Sequence, residues 1–203
     1  MKSLTRFRAT LLVALAISFL ATSCTSEQPD AYLPEEPQVE PDAPAMDPEL
    51  AAALQRWEVT QESVGPIRFG MSVEEAVLAA GEELQLDEDV AGTQCVYGTV
   101  ASMPPGMAVM VDEGVVARVD IGWESAVRSA ANIGVGSTLA EGKTAYGDDG
   151  EVRENRYEMM QLEVLRPDEA GGGYGAIFEA SEDTIYTWRA GLLSQVRWSE
   201  GCN

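Results

Sequence analysis

Two glycine-framed stretches, 66 residues apart, constrain the fold of this chain more than any other feature. The first runs Gly65-Pro-Ile-Arg-Phe-Gly70-Met-Ser-Val-Glu-Glu-Ala-Val-Leu-Ala-Ala-Gly81, and the second Ala131-Asn-Ile-Gly-Val-Gly136-Ser-Thr-Leu-Ala-Glu-Gly-Lys-Thr-Ala-Tyr-Gly147. With Gly70 set on Gly136, Gly81 falls on Gly147 without a gap, and Ile67 meets Ile133, Phe69 meets Val135, Val73 meets Leu139 and Ala79 meets Ala145. In both copies a hydroxyl residue precedes a Glu by three positions: Ser72 with Glu75, and Thr138 with Glu141. That spacing is a capping box, in which side chain and backbone satisfy each other's free N–H groups at a helix start. Apolar residues at helical spacing follow, and Gly81 and Gly147 stand where a helix ends in a left-handed cap. Gly142 weakens the second helix.

Each predicted helix leads into strands. In the first half these are 93–100, 107–111 and 115–121, the last two joined by the tight turn Asp112-Glu-Gly114. In the second half they are 159–165, 174–179 and 184–189, with Gln195-Val-Arg-Trp198 as a final strand before Cys202. The glycine-rich run 171–175 connects two of them; it lacks the Lys and the following helix of a phosphate loop. The expected fold class is α+β: a tandem duplication of helix-strand-strand-strand units, about 63–123 and 129–200, forming an antiparallel sheet with helices packed on one face.

What precedes this domain has a different character. Residues 1–23 read as a signal peptide, with Lys2, Arg6 and Arg8 ahead of an apolar run from Thr10 to Leu20. That run is too short to span a bilayer core of roughly 30 Å. Leu20-Ala-Thr-Ser-Cys24 resembles a bacterial lipobox, although Ala21 stands where an aliphatic residue is usual. Cys24 is therefore the expected lipidation site; otherwise it merely follows a secretory cleavage site. Residues 24–56 form a proline- and acid-rich tether, with a short helix expected where Asp47-Pro48-Glu49 gives an N-cap and an early proline. The folded domain is expected over 57–203. Both readings of Cys24 place it outside the cytoplasm, lipid-anchored to a bacterial cell-envelope membrane if the cysteine is lipidated.

With Cys24 set aside, Cys95 and Cys202 can pair in only one way, and export favours a disulfide over two buried thiols. Such a bridge closes a loop of about 100 residues, worth up to ~4.7 kcal/mol in the chain-entropy model. The formal net charge is −21, and −24 without the three basic residues of the leader. A surface of that sign repels nucleic acid.

The frame Ile-x-x-Gly-x-[Ser/Thr]-x-x-Glu, closed by a glycine eleven positions after the first and followed by strands, resembles a bacterial repeat. It is found in envelope lipoproteins of the SmpA/BamE type and in the β-lactamase-inhibitor-protein-like fold. The resemblance covers most of 63–200 and implies a protein-binding fold, with no interface residue to carry over. A single candidate disulfide departs from one bridge per repeat.

The chain contains no histidine, which removes the commonest general base and metal ligand. No catalytic residue and no cofactor are expected. The acidic runs 87–89 and 148–151 lack the spacing of a calcium loop, and Met103, Met107 and Met110 read as packing and turn-filling residues rather than a copper site. Tyr186 and Trp188 alternate on one face of a strand, with Trp198 on the next, and Arg189 and Arg197 on the other. If that face is the open one, Tyr186, Trp188 and Trp198 form a candidate partner-binding patch; the alternative is that they pack beneath the helices. The expected function is a non-catalytic, lipid-anchored envelope protein that binds an unknown envelope protein as inhibitor or assembly scaffold. A ligand- or ion-binding extracytoplasmic receptor is the alternative.

Overall fold

A computed structural model of the chain describes residues 46–87 and 94–202. The signal peptide, Cys24 and most of the tether lie outside the described residues, as do residues 88 and 89 of the first acidic run. No helix among the described residues is long and apolar enough to cross a membrane.

The described chain opens with α1 (Pro48–Arg56), where Asp47 accepts from the backbone N–H of Glu49 at 2.8 Å and Pro48 supplies the first turn. This helix docks on the body: Arg56 donates to the Ala80 carbonyl at 2.7 Å and pairs with Glu82 at 2.9 Å. A two-stranded hairpin follows, β1 (Ser63–Val64) and β2 (Ile67–Arg68), with Val64 and Ile67 fully buried. Next comes α2 (Val73–Ala80), then β3 (Leu84–Leu86), β4 (Cys95–Val100), β5 (Met107–Asp112) and β6 (Val115–Ile121). The second run is α3 (Leu139–Tyr146), β7 (Gly150–Glu154), β8 (Met160–Pro167), β9 (Gly173–Ser181) and β10 (Thr184–Leu192), closed by the single-turn helix α4 (Leu193–Val196).

Both capping boxes form. Ser72 and Glu75 satisfy each other's N–H groups, as do Thr138 and Glu141. Gly81 takes the left-handed conformation that ends α2. Gly142, a poor helix residue by propensity, has a packing reason: a Cβ there would meet Leu162 at 2.6 Å.

Eight strands form one antiparallel sheet in the order β3-β4-β5-β6-β10-β9-β8-β7. Two four-strand meanders therefore meet through their last strands, β6 and β10. The expected strands are present as β4 to β6 and β8 to β10. Two more were not foreseen, β3 and β7, one at each sheet edge. They are short and largely exposed, and β7 is charged on Glu151, Arg153 and Glu154. These are the properties that keep an edge from pairing with another chain, and they erase the apolar alternation by which a strand is read.

The expected strand over 195–198 is corrected: α4 and a turn occupy that stretch. A helical turn lets Leu193 and Val196 face the same way, and both pack on Ile177 and Leu165. Ile177 lies between Ala176 and Phe178, which belong to the main core, so α4 sits on the sheet face opposite that core. The main core joins Ala76 and Ala80 of α2 and Leu139 of α3 to the sheet residues Val109, Val119, Leu162 and Phe178.

Candidate partner-binding surface

Alternation along the two central strands places charge on the face opposite the main core. Arg118 on β6 interrupts a valine-rich run and is 2% exposed. Every one of its guanidinium donors is used. Nε and Nη2 grip the Asp120 carboxylate at 2.8 and 2.9 Å, and Nη2 also reaches the Tyr97 hydroxyl at 3.0 Å. Nη1 donates to the carbonyls of Gln195 and Trp198 at 2.7 and 2.6 Å. On β10, Arg189 Nε donates to the Val196 carbonyl at 2.6 Å and Nη1 to Glu179 at 2.5 Å. Tyr186 completes this second group by donating to the other Glu179 oxygen at 3.1 Å. Burial, reinforced by the neighbouring Asp120 and Glu179 respectively, raises the pKa of the Tyr97 and Tyr186 phenols, so both remain protonated donors.

The two arginines thus hold three carbonyls of the C-terminal segment from below. Glycines make the room. A Cβ on Gly191 would meet Arg118 Cβ at 2.4 Å, and one on Gly175 would meet Val196 at 3.3 Å. The segment is fastened again at its far end, where Cys95 and Cys202 are disulfide-bonded with Cα atoms 5.3 Å apart. Gly201 beside it has φ +70°, and a Cβ there would meet the Tyr97 hydroxyl at 2.5 Å. Gln195 adds a bond to Asp112 at 2.8 Å. Residues 193–202 form a strap bolted across the sheet.

Trp198 rides on the outside of this strap, 39% exposed. Beside it runs the β7–β8 turn, shaped by Asn155, whose side-chain oxygen accepts from the N–H groups of Tyr157 and Met159. The turn brings up Tyr157, 49% exposed, and Arg156, which lies over the Tyr157 ring at 4.9 Å. Arg156 pairs with Glu200 at 2.6 Å, and Tyr157 hydrogen-bonds the same carboxylate. Met159, at the other end of the turn, is 4.0 Å from the Tyr186 hydroxyl. A groove of about 450 Å³ runs between Arg156, Arg197, Trp198 and the disulfide.

Trp198 and Tyr186 therefore lie along one polar surface, Tyr186 half-buried, joined by a turn that carries Tyr157 and Arg156. Trp188 does not join them, which corrects the expected patch. It is 1% exposed and stacks on Phe178 at 5.0 Å within the main core. The reason is a register shift between Ile185 and Thr187: Ile185 pairs with Ala180 and Thr187 with Glu179. Tyr186 is the extra residue, and it breaks the alternation that would have kept it on the face of Trp188. Arg156, Tyr157, Arg118 and Arg189 carry the surface, and of these the strand pattern of the sequence points only to Arg189. The available signal was Arg118-Val-Asp120, an opposite-charge pair two apart within an apolar strand.

The other candidate groups have structural partners. Met107 and Met110 are buried on opposite faces of β5. Asp149 pairs with Arg166 at 3.3 Å and Glu151 with Arg153 at 2.8 Å. In the glycine-rich connection, Asp168 accepts from the N–H groups of Ala170 and Gly172.

Comparison of the chain with protein-family models, with curated proteins and with solved structures finds no match.

Proposed function

We propose that this chain is a non-catalytic, lipid-anchored cell-envelope protein whose strap surface binds another protein. The observation that carries the reading is the exposed group Trp198, Tyr157 and Arg156 on a foundation fixed by a disulfide and two buried arginines. Trp, Tyr and Arg dominate binding hot spots, and a rigid platform lowers the entropy lost on association. The lipobox-like Leu20–Cys24 and the tether support the anchored placement.

The domain is read as a tandem duplication with α2 and α3 over one face. Equivalent backbone bonds support this: Gly70 N–H to the Val116 carbonyl and Gly136 N–H to that of Ile185, both at 2.8 Å. So do the bridges Ser72–Val115 and Thr138–Thr184. The SmpA/BamE-like resemblance rests on the glycine frame alone and agrees with a protein-binding role.

The test is capture from envelope extract by the immobilised domain and by its Trp198→Ala and Tyr157→Ala variants. A partner retained by wild type and lost at least about tenfold by either variant supports the reading, since hot-spot truncations cost about 2 kcal/mol or more. Equal capture by all three rejects it. A ligand-binding receptor is the second reading, favoured by a cleft on the apolar side of the sheet.

A further inference from the structure

In a chain of formal net charge −21, cations are scarce and the protein's own acids compete for them. Among the described residues that competition is nearly complete. Arg56, Arg68, Arg153, Arg156 and Arg166 each pair with a carboxylate. Arg118 and Arg189 are buried in the networks beneath the strap, and Arg128 and Lys143 donate to backbone carbonyls. Arg197 is the exception. It is exposed, and among the described residues its guanidinium has no hydrogen bond, ion pair or aromatic ring against it.

The main chain beneath Arg197 is fixed. Its neighbours Val196 and Trp198 have their carbonyls held by Arg189 and Arg118, both at 2.6 Å. Pinning on either side lowers the entropy lost when the side chain engages a partner. Arg197 lines the groove of about 450 Å³ together with Trp198. The carboxylates of that groove are engaged elsewhere, Glu200 by Arg156 at 2.6 Å and Asp112 by Gln195 at 2.8 Å. Arg197 also borders a second hollow with Asp148, Asp149, Glu151 and Glu163, and none of these carboxylates lies within ion-pair distance of it.

An open guanidinium beside an exposed indole matches a carboxylate with an apolar neighbour. The planar fork takes both carboxylate oxygens, and the indole takes the flanking side chain. One open cation suits one carboxylate; the surrounding acids repel a phosphorylated or polyanionic surface, which several cations would have to hold. We infer that the groove receives a single Asp or Glu side chain of the partner protein, paired with Arg197 and flanked by an apolar residue on Trp198. This rests on the strap surface being the partner-binding surface, and it names what that surface recognises.

The test is a ¹H–¹⁵N titration of the full chain with acetyl-Leu-Glu-Leu-amide and with acetyl-Leu-Gln-Leu-amide, which has the same shape without the charge. The Arg197 Nε–H signal is assigned by its loss in Arg197→Gln. The expected result is a saturable shift of that signal with the Glu peptide. The Gln peptide should bind at least about tenfold more weakly, because hydrogen bonds between charged groups are the stronger kind. Arg197→Gln should bind both peptides equally weakly, Trp198→Ala should weaken both, and Arg68→Gln on β2 should change neither. No shift with the Glu peptide, equal binding of the two peptides, or an Arg197→Gln variant that still prefers the Glu peptide overturns the inference. Capture from envelope extract separates this result from the reading beneath it. A partner held equally by wild type and Arg197→Gln overturns the inference and leaves the reading. A positive titration with no captured partner upholds the carboxylate site and overturns the reading.

Discussion

Arg118 is the residue on which the strap surface depends. Its charge is buried, it is paired bidentately with Asp120, and it serves two carbonyls of the chain's end. Arg118→Met removes the charge but leaves Asp120 and those carbonyls unpaired, so the expected loss is about 3–5 kcal/mol in urea unfolding. Glu141 gives a pH signature. Hydrogen bonds from the Thr138 backbone, then from its side chain, hold the carboxyl below its ordinary value of 4.5. A folded-state pKa below the unfolded one contributes stability above that ordinary value and loses it as pH falls through the folded value. Glu141→Gln should therefore unfold with a flatter dependence on pH below about 4.5 than wild type, measured by thermal melts. The capping roles of Ser72, Glu75, Thr138 and Glu141 were legible because a cap is a local device with a fixed spacing. Trp188 was misplaced because one inserted residue at Tyr186 inverts everything after it, and no short-range pattern announces that insertion.

At the scale of elements, the strap joins two kinds of fastening that can be separated. The disulfide ties residue 202 to β4; the arginines and the Leu193–Val196 contacts tie its beginning to β6, β9 and β10. Replacing both cysteines by serine is expected to cost about 2–5 kcal/mol on unfolding. In native-state hydrogen exchange the loss of protection should begin at 198–202, while 193–196 stays protected in the cysteine variant and opens in Arg118→Met. The inner strands β4, β5, β6, β8, β9 and β10 were readable because burial writes an alternating or continuous apolar pattern. The edges β3 and β7 were not, because their exposed faces are free to be polar. The stretch 195–198 reads as a strand from the alternation of Val196 and Trp198, whereas Leu193 and Val196, three apart, share a face only in a helical turn. What decides for a helical turn is the pair of arginines beneath, which needs carbonyls turned inward.

For the whole molecule, the two meanders joined at β6 and β10 give the sheet two unlike faces. One carries the main core with Val109, Val119, Leu162 and Phe178; the other holds a charged network roofed by the strap. The acidic balance of the chain makes its few arginines informative, and Arg156 and Arg197 both line the groove beside Trp198. Partner binding is proposed at that surface. The most direct test places a photoreactive benzophenone residue, one position at a time, at 157, 198, 78 and 123 of the full chain in its native cells. Leu78 and Trp123 are also highly exposed, at 81% and 72%, and serve as comparison. The expected result is one discrete crosslinked protein from positions 157 and 198 and none from 78 and 123. Adducts from 78 or 123 with none from 157 and 198, or no adduct at any position, would contradict it.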